Sequence, residues 1–118
     1  MRVWYIVLLI LALSACSKGQ EKEMAARTHG NPANGEKAIV KYGCHGCHDI
    51  PTVEGGRGAF VGPPLGGLVK RRFIAGRVPN EPEILAKFIE NPRSVDSGTA
   101  MPQLGVQPQE ARDITAFL

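Results

Sequence analysis

The sequence predicts an all-α domain of three to four helices, and three observations support this class. Three segments, near residues 34–42, 80–91 and 107–118, repeat apolar side chains at intervals of three and four positions. Between them lie stretches rich in Gly and Pro, such as GAFVGPPLGGL, which favour irregular backbone. No segment alternates apolar and polar residues as a half-buried strand does. With 118 residues the chain forms one domain at most, and so small a core often needs a metal or cofactor.

The first predicted helix begins at Asn34, whose side-chain oxygen can accept hydrogen bonds from the free N–H groups of a first turn. Ala38, Ile39 and Tyr42 then share one face. We expect Gly43 to end the helix, because Gly readily adopts the left-handed conformation that follows many helices.

We expect Asn80 to cap the second helix, ahead of two acidic residues that suit the positive end of the helix dipole. Leu85, Phe88 and Ile89 form its apolar stripe, and Pro92 ends it.

The third helix begins near Pro108, which suits a first turn because no N–H is needed there. Ala111, Ile114 and Leu118 share the face that is expected to pack on the first helix.

The N-terminal residues 1–15 are predicted to be a lipoprotein signal peptide rather than part of the fold. Arg2 supplies a positive charge, and the apolar run Val3–Leu13 is short for a membrane span. The small residues before Cys16 resemble a bacterial lipobox, in which the leader is cut before the cysteine and the thiol carries lipid. An ordinary secretory signal and an uncleaved anchor remain alternatives. All three interpretations place the domain outside the cytoplasm.

Residues 16–33 are predicted to be the lipidated cysteine and a flexible tether, because SKGQEKEMAARTHGNPA is polar, charged and small. The folded domain is then residues 34–118. The formal net charge of +3 is mild, and Lys and Arg form no dense run interleaved with aromatic residues, so we predict no nucleic-acid partner.

The stretch KYGCHGCHDI places two thiols and two imidazoles within five residues, in a chain with only three cysteines. Zinc and thiol–disulfide exchange are two chemistries that use such pairs. A zinc site would need a second pair of ligands, and this sequence has no second Cys-x-x-Cys or His-x-x-x-His. Thiol–disulfide exchange motifs usually begin a helix in a βαβ unit, and no strand-like run precedes Cys44. The third chemistry is covalent haem, for which Cys-x-x-Cys-His is the attachment signature; here it is Cys44, Cys47 and His48.

With this motif, the GPPL, GTAMP and DITAFL segments make Asn34–Leu118 resemble a class I (monohaem) cytochrome c of the lipoprotein type. The chain is also similar to the cytochrome c domain fused to subunit II of some haem–copper oxidases. The resemblance implies the class I fold, with the helices around one covalently bound haem c.

The resemblance also implies a role for each site residue. Cys44 and Cys47 would attach the haem, and His48 and Met101 would bind its iron. The carbonyl of Pro63 would accept a hydrogen bond from His48, and Leu65 would pack on the haem face. Lys70, Arg71, Arg72 and Arg77 are left as a solvated edge, a docking patch for an acidic partner or a contact to a haem propionate.

The implied function is one-electron transfer between membrane-bound redox complexes of a respiratory chain, with a haem–copper oxidase as one candidate partner. We expect a carrier rather than an enzyme, extracytoplasmic and held at the membrane through lipid on Cys16. The alternative is the electron-accepting cytochrome subunit of a periplasmic dehydrogenase or reductase complex. A third possibility is ligand sensing, which would require Met101 to leave the iron.

Overall fold

The computed structural model describes residues 18–19 and 22–118, and this part of the chain is predominantly helical. The predicted signal peptide and the predicted lipid site at Cys16 lie outside the described residues. The all-α class predicted from the sequence, compatible with the class I cytochrome c fold, is confirmed. In the described segments no helix is both long enough and apolar enough to cross a membrane.

Five helices follow one another along the described chain: α1 at residues 22–28, α2 at Pro32–Lys41, α3 at Pro82–Glu90, α4 at Pro92–Val95 and α5 at Pro108–Phe117. Single turns of 3-10 helix occur at Cys44–Gly46 and Leu68–Lys70. Two short strands, β1 at Phe73–Ile74 and β2 at Val78–Pro79, pair antiparallel.

The strand pair was not predicted, because two residues per strand are too few to produce an alternating pattern. Ile74 pairs with Val78, and Phe73 pairs with Pro79. Ala75 and Gly76 have φ values of 48° and 77°, the left-handed conformations that tight hairpin turns require.

The cap of α2 corrects the prediction at Asn34. The helix begins at Pro32, and Asn31 is the cap: its side-chain oxygen accepts from the N–H of Ala33 at 2.9 Å and of Asn34 at 3.2 Å. Pro32 suits the first position because it has no N–H to satisfy. Asn34 therefore lies inside the first turn.

The cap of α3 corrects the prediction at Asn80. The helix begins at Pro82 with Glu81 before it, and no side chain caps it. The Asn80 amide instead donates to the carbonyls of Leu68 at 2.9 Å and Arg71 at 3.0 Å. Asn80 thus holds the chain before β1 against the start of α3.

Helices α2 and α5 cross at Gly35. A Cβ at Gly35 would overlap the Asp113 carbonyl and lie 2.9 Å from the Phe117 side chain, so only a residue without a side chain allows this approach. Ile39 of α2 and Ile114 of α5 are fully buried beside the crossing. Helix α3 packs on α5 and completes the core.

The residues that lead into α2 pack against α5. Thr28 is buried, and a Cβ at Gly30 would overlap the Arg112 carbonyl of α5. The N–H of Asn31 donates to the buried Asp113 carboxylate at 2.8 Å. This acceptor on α5 fixes the chain before α2, so the ordered packing begins ahead of Asn34.

A polar link also joins the end of α2 to the start of α5. Lys41 Nζ lies 2.6 Å from Glu110 Oε1, and the Tyr42 hydroxyl donates to Glu110 Oε2 at 2.5 Å. The hydrogen bond from Lys41, followed by that from Tyr42, lowers the pKa of Glu110 from its ordinary 4.5. The same bond to Glu110 raises the pKa of Lys41 from its ordinary 10.5.

The corrected cap of α2 predicts that Asn31→Ala lowers the free energy of unfolding by about 0.5–2 kcal/mol, because two N–H groups lose their acceptor. Asn34→Ala is the matched control, since it removes the same side chain from the same turn. Urea unfolding of both variants measures the difference. An equal loss in Asn34→Ala would contradict the assignment of the cap.

The Glu110 link predicts a dependence of stability on pH. Because the pKa of Glu110 is lower in the folded state, its carboxylate adds stability above pH 4.5, and this stability is lost as pH falls through the folded-state pKa. Because the pKa of Lys41 is higher in the folded state, its ammonium group adds stability that is lost only as pH rises through a folded-state pKa above 10.5. Glu110→Gln should therefore lower the melting temperature at pH 7 and flatten its fall under acid conditions. The melting temperatures of both proteins should be measured from about pH 3 to about pH 7, a range that includes the ordinary pKa of a glutamate. Identical melting temperatures throughout this range would exclude the contribution of Glu110.

Candidate functional site

One cavity of about 510 Å³ brings together the predicted site residues that lie in the described chain. The residues that line it include Cys44, Cys47, His48, Pro63, Leu65 and Met101. Its apolar wall comes from the helices, through Ile39 of α2, Leu85 and Phe88 of α3, and Ile114 of α5. The helix packing described above therefore forms one side of the site, and loops form the rest.

The CHGCH segment follows α2 through a sharp change of direction. Gly43 adopts φ 68°, the left-handed conformation, and the 3-10 turn Cys44–Gly46 begins directly after it. The N–H of His48 donates to the Cys44 carbonyl at 3.0 Å, which coils the motif on itself. Both thiols and the His48 ring thereby face one cavity.

Three hydrogen bonds tie this segment to residues 62–65. Gly62 N–H donates to the Cys47 carbonyl at 2.8 Å, and Leu65 N–H donates to the Asp49 carbonyl at 2.9 Å. Between them, His48 Nδ1 lies 2.7 Å from the Pro63 carbonyl oxygen, the contact that the family resemblance implies.

The Pro63 contact determines the tautomer of His48. A carbonyl oxygen can only accept, so the proton of a neutral His48 ring must lie on Nδ1. Nε2 is then left with a free lone pair, which is the form in which imidazole binds metals. The backbone of residues 62–65 thus leaves Nε2 of His48 as the nitrogen that could bind a metal.

Gly62 is required by the close approach of the His48 ring. A Cβ at Gly62 would overlap ring atoms Cε1 and Nδ1 and lie 2.9 Å from Nε2. Any larger residue would push the ring away or break its bond to Pro63.

Met101 reaches the cavity from the loop between α4 and α5. Its side chain is half-buried, and its N–H donates to Thr99 Oγ1 at 3.2 Å. The loop places a thioether and an imidazole on the lining of the same cavity.

Two charged residues of the lining were not predicted individually. Arg71, which the sequence offered only as part of a basic run, donates to the Pro64 carbonyl beside the His48 contact. Asp96 pairs with Arg77 across a sequence separation of 19 residues. The Asp-x-Gly-Thr order signals a local turn at Asp96, but no local signal identifies Arg77 as its partner.

The site geometry does not favour the two other chemistries considered for CHGCH. Burial raises the pKa of the Cys44 thiol from 9.0, with a smaller contribution from Cys47, whereas exchange reactions need a readily formed thiolate. Among the described side chains, no group of three or more His, Cys, Asp or Glu could hold a metal ion. Zinc therefore has no ligand cluster in this part of the chain.

The chain is similar to two curated proteins. It is 31% identical over 85 residues to cytochrome c oxidase subunit 2 of Alkalihalophilus pseudofirmus, covering 72% of this chain and 24% of that protein. It is 31% identical over 110 residues to cytochrome c2 of Rhodomicrobium vannielii, covering 80% of this chain and 82% of that protein. The chain thus spans about a quarter of the oxidase subunit but most of the cytochrome c2.

No family model matches the chain, and no solved structure matches it at a significant level. The cytochrome c2 has both sufficient identity and nearly full coverage to define a family relationship. Together with the helical fold and the Cys-x-x-Cys-His segment on the cavity wall, this similarity shows that the chain belongs to the cytochrome c family.

Proposed function

We propose that this protein is a one-electron carrier that uses a covalently bound haem c. The observation that carries the proposal is the placement of two thiols, a tautomer-fixed imidazole and a thioether around one apolar cavity. The names of both relatives, a cytochrome c2 and a cytochrome c oxidase subunit, support this class.

The residues of the cavity fit a haem group. A volume of 510 Å³ lies within the range of about 300–1,000 Å³ typical of cofactor sites. Cys44 and Cys47 would attach the porphyrin, and His48 and Met101 would bind its iron. When bound, the haem supplies a one-electron couple between ferric and ferrous iron.

The protein's own part is to hold and tune this couple. The Pro63 carbonyl keeps the proton on Nδ1 of His48 and makes the ring a stronger donor through Nε2. Met101 in place of a second nitrogen ligand raises the reduction potential. Ile39, Leu85 and Ile114 exclude water from the inner wall, which favours the less charged state of the centre.

A carrier accounts for this ligand set better than an enzyme does. His48 and Met101 would both bind the iron, so a substrate or O₂ would have to displace one of them. We therefore assign no catalytic residue. Electron transfer requires only that the haem edge approach a partner. We propose a haem–copper oxidase as one candidate partner, in line with the similarity to a cytochrome c oxidase subunit 2.

The proposed setting is the periplasmic side of a bacterial membrane, reached through the signal peptide and lipid at Cys16. A membrane-held carrier would serve membrane-bound redox complexes, and nucleic acid is not an expected partner. The alternative role, as the cytochrome subunit of a dehydrogenase or reductase, predicts a partner that stays bound through detergent extraction and purification.

The carrier proposal predicts a single one-electron transition. Potentiometric titration of the lipidated protein should follow a Nernst slope of about 59 mV per tenfold ratio. The ferric form should show the weak near-red band of a Met–Fe(III) bond. Met101→Ala should abolish this band and lower the potential, with covalent haem retained. Binding of CO by the reduced wild type at neutral pH would contradict the carrier role and favour sensing.

The close approach at Gly62 predicts that Gly62→Ala displaces His48 from Pro63. The free energy of unfolding of the haem-bound protein should fall by about 1–3 kcal/mol, as for other overpacked sites, and its reduction potential should shift. Gly66→Ala is the matched control in the same loop, because its added methyl group would lie 3.5 Å from the Pro51 ring, an ordinary contact. Equal stability and potential in both variants would contradict the assigned role of Gly62.

A further inference from the structure

An ion pair joins the strand hairpin to the loop that carries Met101. Arg77 is the last residue of the hairpin turn, and its Nη2 lies 2.5 Å from Asp96 Oδ1. The Asp96 side chain is only 11% exposed, whereas that of Arg77 is 71% exposed. Both elements line the cavity, the hairpin through Phe73 and Ile74 and the loop through Asp96 and Met101.

Asp96 also organises the backbone that leads to Met101. Its carboxylate accepts from Gly98 N–H at 3.2 Å, and its carbonyl accepts from Thr99 N–H at 3.0 Å. Thr99 Oγ1 in turn accepts from Met101 N–H at 3.2 Å. A continuous series of hydrogen bonds therefore runs from the Arg77 guanidinium to the Met101 backbone.

Val106 packs into the core at the far end of the loop, but no residue between Asp96 and Met101 is buried. Ser97, Gly98 and Ala100 are exposed, and Gly98 adds backbone freedom. A loop with few buried side chains opens locally at low cost unless hydrogen bonds hold it. The Asp96 bonds are therefore a substantial part of what keeps Met101 at the cavity.

We propose that Asp96, held by Arg77, is the positioning residue that keeps Met101 on the iron. This inference rests on the proposed function, in which Met101 would bind the haem iron. The pair biases the loop toward the ligating conformation and so disfavours exchange of Met101 for an external ligand. The hydrogen bond from Arg77 lowers the pKa of Asp96, in agreement with a carboxylate that is charged at neutral pH.

Exposed ion pairs usually contribute little, because water competes for both groups. The Arg77–Asp96 pair differs, since the same carboxylate also accepts a backbone N–H and is shielded on most of its surface. Loss of the charge should therefore affect the loop conformation more than the stability of the whole domain.

The test measures the affinity of imidazole for the ferric, haem-bound protein, because imidazole binds the iron only where Met101 leaves it. Asp96→Asn keeps an acceptor for Gly98 but removes the charge, and Arg77→Gln removes the partner. Each should strengthen imidazole binding about five- to tenfold, as expected for loss of a charge-assisted bond that biases two conformations. The double variant should gain little over either single one.

Arg93→Gln is the matched control for Arg77→Gln, because it removes an exposed cation from neighbouring α4 and lowers the net charge by the same amount, whereas Asp96→Asn raises the net charge. It should leave imidazole affinity unchanged. Unchanged imidazole affinity in Asp96→Asn and Arg77→Gln would overturn the proposal. An equal gain in imidazole affinity in Arg93→Gln would also overturn it, because that result would indicate a general effect of charge. Thermal melting of each variant separates loop opening from global unfolding, and a variant whose gain merely tracks lost global stability counts against the proposal.

The wild-type spectrum separates this proposal from the proposed function. A wild type without the near-red band overturns both, because Met101 is then not a ligand. If the wild type shows the band but the variants bind imidazole with wild-type affinity, the proposed carrier function stands and only the proposed role of Asp96 is overturned.

Discussion

The contact between His48 and the Pro63 carbonyl is the constraint on which the site depends. It fixes the proton of a neutral His48 ring on Nδ1, and this tautomer leaves the lone pair of Nε2 able to bind a metal. The neighbouring backbone bonds, from Gly62 to Cys47 and from Leu65 to Asp49, place the carbonyl where the ring can reach it. Because a side chain at Gly62 would overlap the ring, the contact also dictates the sequence of the facing loop.

The helices supply the rigid frame against which these loops are set. Gly35 lets α2 approach the Asp113 carbonyl of α5, and the buried Asp113 carboxylate anchors the chain before α2 at Asn31. Helix α2 then leads directly into the CHGCH segment, so its position relative to α5 determines where the cysteines lie. The loop that carries Met101 has no buried residue between Asp96 and Met101, which is why we propose that the hydrogen bonds of Asp96 hold this part of it.

The sequence predicted the features whose causes are local. Helical spacing gave α2, α3 and α5, and the Cys-x-x-Cys-His, GPPL and GTAMP segments named residues that share one cavity. The caps were misplaced because Asn31 and Asn34 both suit a first turn, and Asn80 is drawn to the carbonyls of Leu68 and Arg71 by tertiary packing. The hairpin and the Arg77–Asp96 pair depend on long-range contacts, which leave no periodic signal.

The most direct test of the account is the mass of the denatured protein, purified from a host with haem-attachment machinery. One haem should stay bound through unfolding, because two thioether bonds would hold it. Replacing Cys44 and Cys47 together by Ala should yield the mass of the bare polypeptide. A wild-type protein that binds no haem, or that releases it fully on unfolding, would contradict the central claim and return the CHGCH segment to other thiol or metal chemistry.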